Sequence, residues 1–112
     1  MKANDLISVL DALSVTFPEK EITSFFACDL LSHMLAFAKP GCGFITVLVN
    51  ENVLAAAKKK GASCVIFADG IVPDKELINK AEREGVNLFA SKMSTFELCG
   101  ILSNAGTCTE HT

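Results

Sequence analysis

The chain has 112 residues, half of them apolar and 21% charged, with a formal net charge of −3. That length suits one layered domain with a single core, and so large an apolar fraction argues against a disordered segment. Beyond Lys58, Lys59 and Lys60 there is no basic block, which argues against nucleic-acid binding, and no apolar run nears the roughly 20 residues that span a bilayer.

In chain order the pattern alternates between helical and extended segments. A first helix is expected from Asn4 or Asp5, as N-cap, through Ile7, Leu10 and Leu13, whose spacing makes an apolar stripe. EITSFFAC reads as a short strand, rich in β-branched and aromatic residues. Asp29 is expected to open a helix running to Ala38, stopped by KPGCG. FITVLVN is the clearest strand, almost continuously apolar, as suits a central strand covered on both faces.

Asn50 or Asn52 should cap a third helix ending at Gly61, and SCVIFADG repeats the buried-strand signature. VPDKELINKAEREG places Pro73 and Asp74 at a helix start, Leu77, Ile78 and Ala81 on one face, and Gly85 as the stop. VNLFAS is a short strand, and Ser94 with Glu97 fits a capping box for a last helix reaching about Asn104. The domain is taken as 1–106, with 107–112 a loose tail lacking an apolar face.

Strands and helices alternating over short links imply right-handed parallel crossovers. The expected fold is therefore a single three-layer α/β domain with a mainly parallel sheet flanked by helices. The first strand has the less regular pattern, which leaves antiparallel pairing at an edge open for it.

The amino terminus lacks the apolar core and cleavage site of a signal peptide, so the expected setting is the cytoplasm. Five cysteines, Cys28, Cys42, Cys64, Cys99 and Cys108, form no CxxC pair and read as reduced thiols, mostly core filling. Their spacing favours neither a metal centre nor an iron–sulfur cluster, and no cofactor is expected. Eight Phe, on top of many aliphatic residues, exceed what one small core needs and point to a homodimer.

The stretches ACDLLSHMLAFAKPGCGFITV, NVLAAAKKKGASCVIFADGIVPDKELINKAEREGVNLFAS and STFELCGIL resemble the DRTGG domain family, which is similar to the N-terminal domain of HPr kinase/phosphorylase. The similarity spans roughly residues 3–105 and rests on the whole pattern. It implies the fold of the HPr kinase/MurF N-terminal-domain type and a regulatory, sensing or dimerising role. Where the family reads Thr-Gly-Gly, this chain aligns Thr23-Ser24-Phe25, which puts in doubt any ligand function of that turn. The resemblance brings no kinase activity, because the phosphate-cradling sequence GxxxxGK followed by Ser or Thr is absent.

Cys28, Asp29, Ser32 and His33 crowd into six residues, as a nucleophile with its acid and base would. On a helix, however, Ser32 and His33 point about 100° apart. Asp29 as N-cap or first-turn acid, with His33 as its i+4 partner and Ser32 bonding back to a carbonyl, explains the cluster without catalysis, and no convergent acid, base and nucleophile can be placed elsewhere. Parallel topology instead selects an edge, because ligands bind beyond the carboxyl ends of such strands. The residues expected there are Asp29, Asn50, Asn52, Asp69, Gly70, Ser91 and Ser94. With Asp29, Glu51 and Asp69 on that rim, a ribose, an amine or a cation is favoured over free polyphosphate. The functional expectation is a non-catalytic regulatory or ligand-sensing domain that binds a small molecule or nucleotide at the carboxyl edge of the strands. The alternative is a dimerisation or protein-interaction module with no small ligand.

Overall fold

A computed structural model describes residues 1–104. Cys108 and the expected tail lie outside the described residues. The elements are α1 (Ala3–Leu6), β1 (Asp11–Ser14), β2 (Ser24–Ala27), α2 (Leu31–Phe37), β3 (Cys42–Thr46), α3 (Glu51–Lys60), β4 (Cys64–Phe67), α4 (Lys75–Glu84), β5 (Asn87–Ala90) and α5 (Thr95–Ser103). They form the expected three-layer α/β domain.

The central strands are buried along their whole lengths, so both sheet faces need helices. The five strands lie in the order β1-β5-β4-β3-β2. β2 to β5 are parallel, and β1 runs antiparallel to β5. Because β2, β3, β4 and β5 follow one another across the sheet, right-handed crossovers put α2, α3 and α4 on the same face. There Met34, Leu54, Ala57, Leu77 and Ala81 pack on Phe44, Val65, Phe67 and Leu88. On the other face Leu6 of α1 and Leu98 and Leu102 of α5 pack on Ile45, Ile66 and Phe89.

The first predicted helix is corrected. Only one turn forms, and the chain then enters β1. A helix would put Leu10 and Leu13 on one stripe, but Leu10 is buried with α1 and α5 while Leu13 packs against the opposite face. Edge pairing of Asp11 with Ala90 overrides the helical spacing. β2 does lie at a sheet edge, yet it pairs parallel with β3.

Gly61 and Gly85 close α3 and α4 in left-handed conformations, as expected, and put those turns at the edge opposite the strand carboxyl ends. That edge is pinned by Asn87, which is 1% exposed. Its Oδ1 accepts from the N–H groups of Thr16 (2.9 Å) and Phe17 (3.0 Å), and its Nδ2 donates to the carbonyls of Phe17 (2.9 Å) and Ser63 (3.4 Å). This saturates the amide and fixes the β1–β2 connection against β4 and β5. The Ser63 hydroxyl reinforces the join at the carbonyls of Glu21 and Gly41.

Removing a buried amide that serves so many partners strands the N–H groups of Thr16 and Phe17. Asn87→Ala is expected to lower unfolding stability by about 3 kcal/mol in urea titration. A loss under about 1 kcal/mol would show that the connection is held by other contacts.

Candidate ligand-binding edge

The parallel run from β2 to β5 brings the segments after each of these strands to one edge. After β2, Asp29 does not cap a helix as predicted. Leu30, in extended conformation, occupies the N-cap position of α2, and α2 starts at Leu31. The Asp29 carboxylate turns to β3 instead, where Oδ1 accepts from the Thr46 hydroxyl and the Val47 N–H, each at 2.9 Å. Thr46 is fully buried, and its Oγ1 also accepts from the Leu48 N–H at 3.1 Å. A charged acceptor satisfies this buried hydroxyl better than a solvent-facing cap would use the carboxylate.

The predicted Asp29–His33 pair is also corrected. His33 stacks on Phe26 at 5.8 Å and contacts the ring of Phe37 at 4.7 Å. Cys28 receives the Leu30 N–H on its sulfur at 3.4 Å. These residues are local structure, and no nucleophile–base geometry forms among them.

The sharpest feature of the edge lies after β4 and β5. β4 leads into α4 on one face of the sheet, whereas β5 leads into α5 on the other. Divergence of successive connections is what opens a crevice in open α/β sheets. Asp69 and Gly70, in the loop that follows β4, have consecutive positive φ values of 60° and 72°. Their N–H groups donate to the carbonyls of Met93 (2.8 Å) and Ser91 (2.9 Å), tying the two loops together. An added Cβ at Gly70 would meet nothing within 4 Å, so its backbone conformation, and not crowding, calls for glycine. By contrast Ser24 and Phe25, aligned above with the family's glycine pair, are extended strand residues.

Ser91, Asp69 and Gly70 are thus brought together. Ser91 is buried, and its hydroxyl accepts from the Met93 N–H at 3.0 Å. Asn50 lies one loop away as the N-cap of α3, accepting from the N–H groups of Asn52 (2.9 Å) and Val53 (3.3 Å). Asn52 is therefore not the cap, and its side chain is exposed in the first turn. Ser94 caps α5 in the expected capping box with Glu97.

Among the described residues, grooves open along this edge. One of about 250 Å³ lies between the starts of α3 and α4, lined by Val49, Asn50, Glu51, Asp74, Glu76 and Leu77. The other, about 360 Å³, lies beside the end of β5 and is lined by Val9, Leu10, Asp11, Ala90, Ser91 and Lys92. Asp11 is an edge residue that the helical reading of β1 concealed, and Lys92, between the expected Ser91 and Ser94, joins it in this groove. Thr46 carried a usable signal, a hydroxyl inside an apolar strand. The first turns of α3, α4 and α5 each hold an acid, Glu51, Glu76 and Glu97, so the rim is mainly negative. Glu51 is partly offset by Lys80 at 2.8 Å.

Cys42 and Cys64 are buried as expected for core filling. Burial pushes the Cys42 thiol up to about 11 and that of Cys64 further still, so neither is a nucleophile at neutral pH. Among the described residues no cluster of His, Cys, Asp or Glu could hold a metal ion, and no helix is long and apolar enough to cross a membrane.

Fold and edge together define a small three-layer α/β module whose strand ends and capped helix starts converge. The chain belongs to the family described as HPr Serine kinase N terminus, whose profile matches residues 47–105. It is 28% identical over 92 residues to an HPr kinase/phosphorylase of Streptococcus equi subsp. zooepidemicus, covering 80% of this chain and 30% of that protein. An HPr kinase/phosphorylase of Streptococcus pyogenes serotype M5 is 25% identical over 103 residues, covering 89% of this chain and 33% of its own length. The chain therefore spans about a third of the length of these relatives. In fold it matches the crystal structure of the CBS and DRTGG domains of the regulatory region of Clostridium perfringens pyrophosphatase, complexed with its activator diadenosine tetraphosphate. The TM-score is 0.68 at 18% identity, covering 88% of this chain and 44% of that one. The DRTGG resemblance seen in the sequence holds.

If Asp29 and Thr46 act as one unit, their substitutions are not additive. Asp29→Ala and Thr46→Val should each cost about 1.5 kcal/mol, with a coupling above about 0.5 kcal/mol in a double-mutant cycle read by urea unfolding. Full additivity would place Asp29 back among surface residues.

Proposed function

We propose that the chain is a non-catalytic regulatory domain that senses a small molecule at the carboxyl edge of its sheet. The observation that carries this reading is the divergence of the chain after β4 and β5 to opposite faces of the sheet, with the two loops meeting at Asp69, Gly70 and Ser91, the arrangement at which open α/β sheets bind ligands. Asn50, Asn52, Ser94 and Asp29 flank it. The side chains of Asn50, Ser94 and Asp29 already serve the fold, so exposed Asp69 and Asn52 are the side chains free to contact a ligand, alongside backbone groups.

The acidic rim favours a ligand that presents hydroxyls or positive charge, such as the ribose of a nucleoside, over a bare phosphate chain. The activator bound by the Clostridium perfringens regulatory region contains adenosine, which supports a nucleoside-containing ligand here. In this reading the domain works in the cytoplasm as a homodimer, without cofactor, nucleic acid or membrane. A second reading, a protein-interaction module with no small ligand, is favoured by Leu30, Phe37, Val72 and Phe96, all more than half exposed.

Thermal shift with adenosine, AMP, ATP, diadenosine tetraphosphate and spermidine separates the two. A ligand at ten times its dissociation constant adds about 1.4 kcal/mol of stability and raises Tm by about 5 °C. Amide chemical-shift changes should then centre on Asp69, Gly70 and Ser91. No response to any of these compounds favours the interaction module, and changes centred on Gly41, Gly61 and Gly85 would place binding at the opposite edge.

A further inference from the structure

We infer that the edge where the helices end docks an acidic polypeptide segment of a partner protein, seated on Phe17 and a surrounding arc of lysines. This goes beyond the small-molecule reading, whose residues lie at the other edge. The lysines come from three separate segments: Lys20 in the β1–β2 connection, Lys39 after α2, and Lys58, Lys59 and Lys60 in the last turn of α3. The fold joins these segments. The Gly41 N–H donates to the Gly61 carbonyl at 2.8 Å, and a groove of about 240 Å³ has Phe17, Lys20, Lys58, Gly61 and Gly85 in its lining.

The acids of this edge are mostly engaged elsewhere. Glu19 is held by Lys2 at 2.9 Å, Glu21 by the terminal amine at 3.0 Å, and Glu84 lies between Lys58 at 3.9 Å and Lys80 at 4.0 Å. Glu82 and Arg83, side by side in α4, cancel. Lys20, Lys39, Lys59 and Lys60 are left with no acid partner among the described residues. Each helix end offsets only about half a charge, so the edge keeps a positive surplus although the chain is net negative.

Phe17 supplies a fixed apolar anchor within that surplus. Its ring is 51% exposed, yet it rests on Gly85, where an added Cβ would stand 2.6 Å from it. Asn87 holds its N–H at 3.0 Å and its carbonyl at 2.9 Å, and Lys20 Nζ lies 6.0 Å from the ring centroid. A further groove of about 410 Å³ runs along Thr16–Lys20. A held ring among unpaired lysines fits an acidic segment that carries an apolar side chain. Lysines spread over three segments match a polypeptide better than a compact anion, and one ring offers a nucleic acid no succession of stacking platforms. The exposed acids Glu51, Glu76 and Glu97 at the other edge repel such a segment.

Amide chemical shifts of the full chain, titrated with an acetylated peptide of glutamates around one central phenylalanine, test this. Changes should centre on Phe17, Lys20, Gly61 and Gly85, and affinity should fall as salt rises. Lys20→Glu and Lys59→Glu, exposed and without ion pairs, should each weaken binding at least about threefold while the circular dichroism stays native. Lys75→Glu, the same charge change at the other edge, should leave it unchanged. No shifts at millimolar peptide, equal binding by the peptide with glutamines for glutamates, or wild-type affinity in both folded lysine variants overturns the proposal. Tighter binding at the same amides by oligouridylate or by tripolyphosphate also overturns it, in favour of a nucleic acid or a compact anion.

Discussion

The arrangement depends on the burial of β3, β4 and β5 along both faces. Strands of this kind are stable only with helices above and below, so the connections between them must cross over, and crossovers between parallel strands are right-handed. Since β2 to β5 are laid down in sequence order, the first three crossovers share one face. The other face is left for α1 and α5, from the two ends of the described chain. The same constraint aligns the carboxyl ends of four strands and the starts of the helices that follow them. The candidate edge is thus a by-product of covering an apolar sheet.

Much of the polarity of that edge is already committed. Asn50, Asp74 and Ser94 satisfy helix N–H groups, and Asp29 satisfies Thr46 and Val47. These bonds are local and would persist with or without a ligand. What is left over is concentrated where the chain changes face. Asp69 takes a left-handed conformation that few non-glycine residues adopt, and it does so because its N–H and that of Gly70 reach across to the β5–α5 loop. The loops after β4 and β5 are therefore joined through backbone bonds, although they lead into helices on opposite faces of the sheet.

The opposite edge has a different character. Helix carboxyl ends gather there, with Lys58, Lys59 and Lys60 in the last turn of α3 and Arg83 in that of α4, which complements the helix dipoles. Asn87 and Ser63 fasten the β1–β2 connection beneath them. Grooves open at both edges, one of about 410 Å³ at Thr16–Lys20 among them, so what distinguishes the two is charge and fastening: one edge is stapled by the buried polar side chains of Asn87 and Ser63 and the other carries the exposed acids Glu51, Glu76 and Glu97.

The sequence by itself determined the parts governed by local physics. The buried strands were legible as short apolar runs. α3, α4 and α5 were legible from Asn50, Asp74 and the Ser94–Glu97 box at their starts, and Gly61 and Gly85 marked the stops of α3 and α4, because caps act within one turn. The strand-end edge and its residues followed from that alternation. Tertiary structure decided what depends on partners distant in the chain. The stripe at Ile7, Leu10 and Leu13 has helical spacing, yet pairing with β5 and burial of Leu10 and Leu13 on opposite faces turn most of it into a turn and an edge strand. Asp29 has the chemistry of a cap, and only the arrival of Thr46, 17 positions along the chain, diverts it. The order of strands, and with it the meeting of the loops after β4 and β5, is likewise invisible locally, because any local pattern of strand and helix is compatible with several sheet orders until long-range packing selects one.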